Sequence, residues 1–198
     1  SCSPDFGTLG LIERFSQIKP KILIITDRYY YNGKEINVLD RLPLILKKIK
    51  SIKKVLIVNY PGSKYLKPKK VNGVELYSLN KIYQIKENEI KFKRFDFDHE
   101  LVILYSSGTT GKPKCICHRS GGVLLQHLKE HQLHCEIKPE DNVFYFTTCG
   151  WMMWNWLITS LASKASIVLF DGFPMYKNYD LLFKIANKEK ITLFGISA

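Results

Sequence analysis

LVILYSSGTTGKPK, Leu101 to Lys114, joins an apolar strand to a small polar loop without any residue between them. Leu101–Tyr105 is apolar at every position and carries β-branched and aromatic residues, the composition of a strand covered on both faces. Directly after it come Ser106, Ser107, Gly108, Thr109, Thr110 and Gly111, then Lys112 and Lys114 on either side of Pro113. The hydroxyls, the N–H groups of a glycine-permitted turn and the two ammonium groups can all face one anion, so the segment predicts a polyphosphate cradle. Its place after a strand is where open α/β sheets take their ligands. It is not a Walker A loop, because with Gly108 as first glycine Pro113 falls where GxxxxGK[ST] needs its second. The plain alternative is an ordinary Ser/Gly surface loop.

Outward from this segment, short apolar runs alternate with helix-like stretches, the signature of a βαβ succession and a mainly parallel sheet with flanking helices. Strands are predicted at Lys21–Thr26, Lys54–Val58, Leu101–Tyr105, Val143–Thr148, Ser166–Phe170 and Ile191–Phe194, several of them apolar throughout. Helices are predicted at Leu9–Gln17, Val38–Lys50, Gly122–Cys135, Met152–Ala162 and Tyr179–Glu189, with Ser120 and Asn178 standing where N-caps would stand. Pro61–Glu100 reads as irregular structure leading to the Leu101 strand.

The chain of 198 residues is 45% hydrophobic and 13% aromatic, a folded globular composition with no apolar run long enough to span a membrane. A start in SCSPDFG has no signal-peptide pattern, and five scattered cysteines suit reduced thiols, so a cytoplasmic location is expected. The formal net charge is +12. Residues 1–98 hold 20 Lys and Arg against 10 Asp and Glu, whereas residues 99–198 hold 10 against 8. The excess sits in KKIKSIKK (Lys47–Lys54) and KYLKPKK (Lys64–Lys70) and is nearly all Lys, which suits a solvated face better than an Arg-built nucleic-acid site. A basic nucleic-acid-binding module is therefore the alternative of another class; neither nucleic acid nor membrane is the expected partner.

YSSGTTGKPK resembles the signature loop of the adenylate-forming superfamily, which includes the acyl-CoA synthetases, and in which this loop holds the β- and γ-phosphates of ATP. The resemblance assigns Ser106, Ser107, Gly108, Thr109, Thr110, Gly111 and Lys114 to ATP phosphate binding; Cys115 stands where a glycine is common. CHRSGG (Cys117–Gly122), the run from Phe144 to Pro174 with GWMMWNW inside it, and TLFGISA (Thr192–Ala198) resemble the acetoacetyl-CoA synthetases more than the acetyl- or propionyl-CoA synthetases. SCSPDFG is also similar, and the likeness is weakest from Tyr60 to Lys93.

That resemblance implies an acid–thiol ligase that joins acetoacetate to coenzyme A through an acyl-adenylate, using ATP and Mg²⁺; another short-chain acyl-CoA synthetase is the alternative. Residues 1–198 would be part of the large N-terminal AMP-binding domain, without the C-terminal domain, and the chain reads as cut at both ends. Trp151, Met152 and Met153 match the segment lining the acyl and pantetheine region, while Trp154, Trp156, Leu157 and Leu161 at helical spacing read as core. Lys34 keeps the charge of a pair that reaches the CoA nucleotide in acetyl-CoA relatives. Lys164 stands where the family usually has glycine, and a left-handed backbone there would cost about 1 kcal/mol. HLKEH (His127–His131) matches the HxxEH zinc pattern, yet no further ligand is evident, so no metal site is assigned. His118 reads as packing beside the phosphate loop. No catalytic residue is assigned.

Overall fold

The computed structural model describes residues 1–63, 70–84, 89, 91–106, 111–177 and 179–196. The chain divides into two compact units. One comprises Pro4–Lys93 and Tyr105–Cys115, the other Ser1–Ser3, Arg94–Leu104 and Ile116–Ala198.

In the first unit, α1 (Thr8–Ile18) leads through a left-handed Lys19 into β1 (Ile22–Thr26). An antiparallel ribbon follows, β2 (Arg28–Tyr31) with β3 (Lys34–Asn37), then α2 (Leu42–Lys48) and β4 (Lys54–Val58). A second ribbon, β5 (Lys70–Val71) with β6 (Val74–Ser78), and the short α3 (Leu79–Ile82) close the unit. The sheet runs in the order β1-β4-β6-β5, with the first three strands parallel. Leu42, Ile45, Leu46 and Ile49 recur at helical spacing and are buried, so α2 lays one apolar stripe on Leu23, Ile25, Val55, Ile57 and Leu76. The other face of β1 differs from the expectation of cover on both sides: Ile22 and Ile24 are 54% and 63% exposed.

β6 overturns the reading of Pro61–Glu100 as irregular. Its alternating Val74, Glu75, Leu76, Tyr77, Ser78 buries Leu76 and Ser78 beside β4, a pattern that the surrounding lysines hide. Both ribbons turn on Asn-Gly: Asn32 with Gly33 and Asn72 with Gly73 have positive φ, the geometry of tight hairpins that suit twisted strands. Neither ribbon is among the predicted strands, although the dipeptide is a strong hairpin signal.

β7 (Glu100–Ser106) and β8 (Lys114–Arg119) form a two-stranded ribbon, confirming the strand at Leu101 and adding one after the loop. Then come α4 (Ser120–Lys129), continued as a π-helical turn over Glu130–His134, β9 (Asn142–Tyr145), and α5 (Met152–Thr159) with a 3₁₀ turn over Ser160–Ser163. β10 (Ser166–Val168), α6 (Leu181–Lys188) and β11 (Leu193–Gly195) complete the chain's regular elements. The second unit's sheet is parallel, in the order β10-β9-β11. Val143 and Phe144 at its centre are almost wholly buried, and Trp156 and Leu157 of α5 pack in the same unit's core.

Two expected positions differ. Arg119, not Ser120, precedes α4; the Ser120 hydroxyl turns back to the carbonyls of Asp96 and Phe97. Leu161 is half exposed, while Ser160 and Ser163 are buried, because the tighter 3₁₀ turn rotates the side chains out of the α-helical phase. Asn178 lies outside the described residues. Lys164 does adopt the left-handed conformation, with φ 62°.

Candidate functional site

Of the predicted phosphate loop, Ser106 ends β7 and Gly111, Lys112 and Lys114 lead into β8; Ser107, Gly108, Thr109 and Thr110 lie outside the described residues. Gly111 has φ +114°, a conformation that side chains rarely adopt, and a Cβ there would meet nothing within 4 Å. Lys112 and Lys114 are exposed. Positive charge, a hydroxyl at the strand end and open space beside the glycine backbone fit a bound polyphosphate. A Walker A loop opens a helix, whereas this one passes into a strand.

Both ends of the loop are tied to α1. The Tyr105 hydroxyl donates to the Arg14 carbonyl at 3.2 Å on the β7 side, and the Gln17 amide donates to the Pro113 carbonyl at 3.0 Å on the β8 side. The same Gln17 nitrogen is 2.9 Å from the Glu13 carbonyl, so the side chain is fixed along its own helix. Arg14 also lies over the rings of Phe6 and Tyr105, at 4.5 and 5.9 Å to the centroids. Sequence reasoning missed Gln17, for nothing in the sequence marks a partner 96 residues away.

The first unit gathers polar groups at the ends of β1, β4 and β6. Asp27 is 5% exposed and accepts the Tyr60 N–H at 2.9 Å; Ser78 donates to Asn59 at 3.0 Å. Burial pushes the Asp27 carboxyl up, but the neighbouring Ser63 hydroxyl, the Tyr60 N–H, Arg28 and Asn59 outweigh it and hold the group below its ordinary value. Lys34 stands exposed beside the β2/β3 turn, paired in register with Tyr31. Next to it Glu35 accepts from Arg28 at 2.7 Å and from the Tyr30 hydroxyl at 2.6 Å.

In the second unit, Trp151 precedes α5 and Met152 begins it, 62% and 48% exposed. Met153 instead packs against the core of Ile137, Val143, Trp156, Leu157 and Ala165. Trp156 and Leu157 are core, as their spacing predicted.

His127 and His131 do share one face, and it is the buried one. The Thr159 hydroxyl gives its proton to the Asn155 carbonyl at 2.7 Å, so it must accept from His127 Nδ1 at 3.0 Å, which fixes the His127 tautomer. His131 has no exposure and rests edge-on against Trp156, whose indole N–H donates to Glu130 at 3.0 Å. Neither His131 ring nitrogen meets hydrogen-bond geometry; the Trp156 backbone approaches without doing so. Among the described residues no group of three or more His, Cys, Asp or Glu side chains converges to hold a metal. His118 is half buried on β8.

The model of the AMP-binding enzyme family matches residues 2–197. This chain belongs to that family. Among relatives, it is 47% identical over 199 residues to the acetoacetyl-coenzyme A synthetase of Rhizobium meliloti and 42% identical over 203 residues to the acetoacetyl-CoA synthetase of Gallus gallus. Each alignment covers 100% of this chain and 30% of the relative, so the chain spans under a third of the proteins it matches. The solved acetoacetyl-CoA synthetase of Streptomyces lividans superposes with a TM-score of 0.90 at 36% identity, covering 100% of this chain and 29% of that one. Membership in the AMP-binding family agrees with an α/β fold of parallel strands and flanking helices. Among the described residues no helix is long and apolar enough to cross a membrane.

Proposed function

We propose that the protein carrying this chain ligates acetoacetate to coenzyme A, and that residues 1–198 are part of its N-terminal AMP-binding domain. The observation that carries the reading is similarity to acetoacetyl-CoA synthetases over the whole chain, in sequence and in backbone. The acid's carboxylate oxygen attacks the α-phosphorus of ATP and pyrophosphate leaves; the thiol of coenzyme A then attacks the acyl carbon of the adenylate and AMP leaves. ATP, with its Mg²⁺, supplies the phosphoanhydride.

The chain's share of this work is electrostatic and geometric. Ser106, Ser107, Gly108, Thr109, Thr110, Gly111 and Lys114 hold the β- and γ-phosphates, so that positive charge and N–H groups meet the charge developing on the leaving pyrophosphate. Tyr105 and Gln17 anchor the two ends of that loop on α1, which limits its reorganisation during the step. Trp151 and Met152 line the acyl and pantetheine region; Met153 supports them from the core. Lys34 offers a cation to the CoA nucleotide. Cys115, Cys117, Cys135 and Cys149 are free thiols, which suits a reducing compartment such as the cytoplasm.

The reading is tested in a chimera in which this chain replaces the matching stretch of the Rhizobium meliloti relative. Acetoacetate should drive exchange of labelled pyrophosphate into ATP. A folded chimera that exchanges with acetate or propionate and not with acetoacetate would assign the chain to another short-chain acyl-CoA synthetase.

A further inference from the structure

The turn that brings Trp151 to the start of α5 is packed from outside by residues at the far end of the sequence. Ser1–Ser3 belongs to the same compact unit as this turn. The Ser1 hydroxyl donates to the Cys149 carbonyl, and Ser3 is buried. A Cβ on Gly150 would lie 2.9 Å from the Ser3 amide nitrogen and 3.3 Å from the Cys2 carbonyl carbon and Cα. Those are backbone atoms, which cannot swing aside as a side-chain tip can. Gly150 has no positive φ to explain it, so the close approach of the two backbones is what demands glycine.

One residue on, the Trp151 N–H donates to the Thr148 carbonyl at 3.1 Å and the Trp151 carbonyl accepts from the Trp154 N–H at 3.1 Å. The direction in which Trp151 and Met152 leave the backbone is thus set by a tight turn whose outer side is filled by Cys2 and Ser3. We infer that Gly150 is a positioning residue of the acyl site, and that Ser1–Ser3 is the strut it closes on. The inference rests on the assignment of Trp151 and Met152 to that site. Any side chain at 150 must displace either the strut or the turn. The phosphate loop belongs to the other unit.

The experiment has two arms. In the 198-residue chain, hydrogen exchange is followed for Gly150→Ala and for Gly122→Ala, whose added Cβ would meet nothing within 4 Å. Gly150→Ala should speed exchange about fivefold in peptides covering both residues 1–6 and 147–153, because a local opening exposes both sides of one contact. Gly122→Ala should leave both unchanged. In the chimera, Gly150→Ala should raise KM for acetoacetate about tenfold through misplacement of the acyl segment. KM for ATP should stay within about twofold, a split that mere loss of folded protein does not produce. Ser1→Ala, which removes only the hydroxyl, should show the same pattern at smaller amplitude, and it carries the test if Gly150→Ala does not fold.

Unchanged exchange at residues 1–6 overturns the strut. Faster exchange with unchanged acetoacetate kinetics, or with KM for ATP rising equally, overturns the positioning role. A wild-type chimera without acetoacetate-dependent turnover sinks the acyl-site assignment and the positioning role together, while the exchange arm still decides whether the contact exists.

Discussion

Acidification should loosen the second unit well above the range in which carboxylates protonate, and His131 should be a principal cause. The ring is fully buried, and burial first, then the neighbouring His127, holds its pKa below the ordinary 6.5, against smaller opposing effects of the Trp156 backbone and Glu130. His127, also buried, is held down by burial and by His118 against an opposing Glu130. For a group whose folded pKa is depressed in this way, the unfolded chain binds the proton first. Stability is therefore flat above about pH 6.5 and falls as pH drops below it. Each ring can contribute at most about 1.4 kcal/mol per pH unit to that fall. His131→Leu removes two buried nitrogens that lack partners and one edge-on contact with Trp156, effects of opposite sign, so at pH 7.5 it should stay within about 1 kcal/mol of wild type. Its acid sensitivity between pH 6.5 and 5.5 should be smaller than that of wild type, the remainder belonging to His127. Urea unfolding followed by tryptophan fluorescence reads the correct unit, since Trp151, Trp154 and Trp156 all lie in it. A wild-type midpoint unchanged between pH 7.5 and 5.5, or a His131→Leu variant that keeps the whole slope, would show that His131 is not a cause of the acid sensitivity.

Further outcomes follow from single contacts. Gln17→Ala should raise KM for ATP severalfold in the chimera with little change in KM for acetoacetate, measured by initial rates, because it frees one end of the phosphate loop. Asp27→Ala should destabilise the first unit by about 1–3 kcal/mol, since the Tyr60 N–H loses its acceptor. The wild-type Asp27 contribution should be present above about pH 4 and vanish as pH falls through its lowered pKa, a dependence that thermal unfolding near pH 3 would find missing in the variant. Met152→Ala should shift the preference among short acids while leaving ATP binding intact, whereas Met153→Ala, facing the core, should chiefly cost stability, about 2 kcal/mol by denaturant melts.

The strands were legible in the sequence where apolar residues run unbroken, as in Leu23–Ile25 and Val55–Val58, because burial in a parallel sheet imposes that pattern. β6 is hidden because it is half polar and set among lysines, and its identity comes from pairing with β4. Asn32-Gly33 and Asn72-Gly73 mark the two ribbons in the sequence itself. The phosphate-loop assignment rests on residue order alone, whereas the left-handed turn at Lys164 follows from the residue expected there. Contacts between distant residues were not readable. Gln17 with Pro113 and Gly150 with Ser3 meet only after folding, and neither pair leaves a periodic trace. The buried face of His127 and His131 was visible as helical spacing, but whether such a face holds metal or core is decided by what packs opposite, here Trp156 and Thr159.

The proposed function makes this chain part of an enzyme selective for acetoacetate, a selectivity that kcat/KM for acetoacetate against butyrate in the chimera measures. The two acids differ at the 3-oxo group, and apolar walls discriminate only weakly, so selectivity requires a donor to that oxygen. Acetoacetate should lead butyrate by at least about tenfold, roughly 1.4 kcal/mol in the transition state. Equal values for the two acids, or a higher value for butyrate, would contradict it.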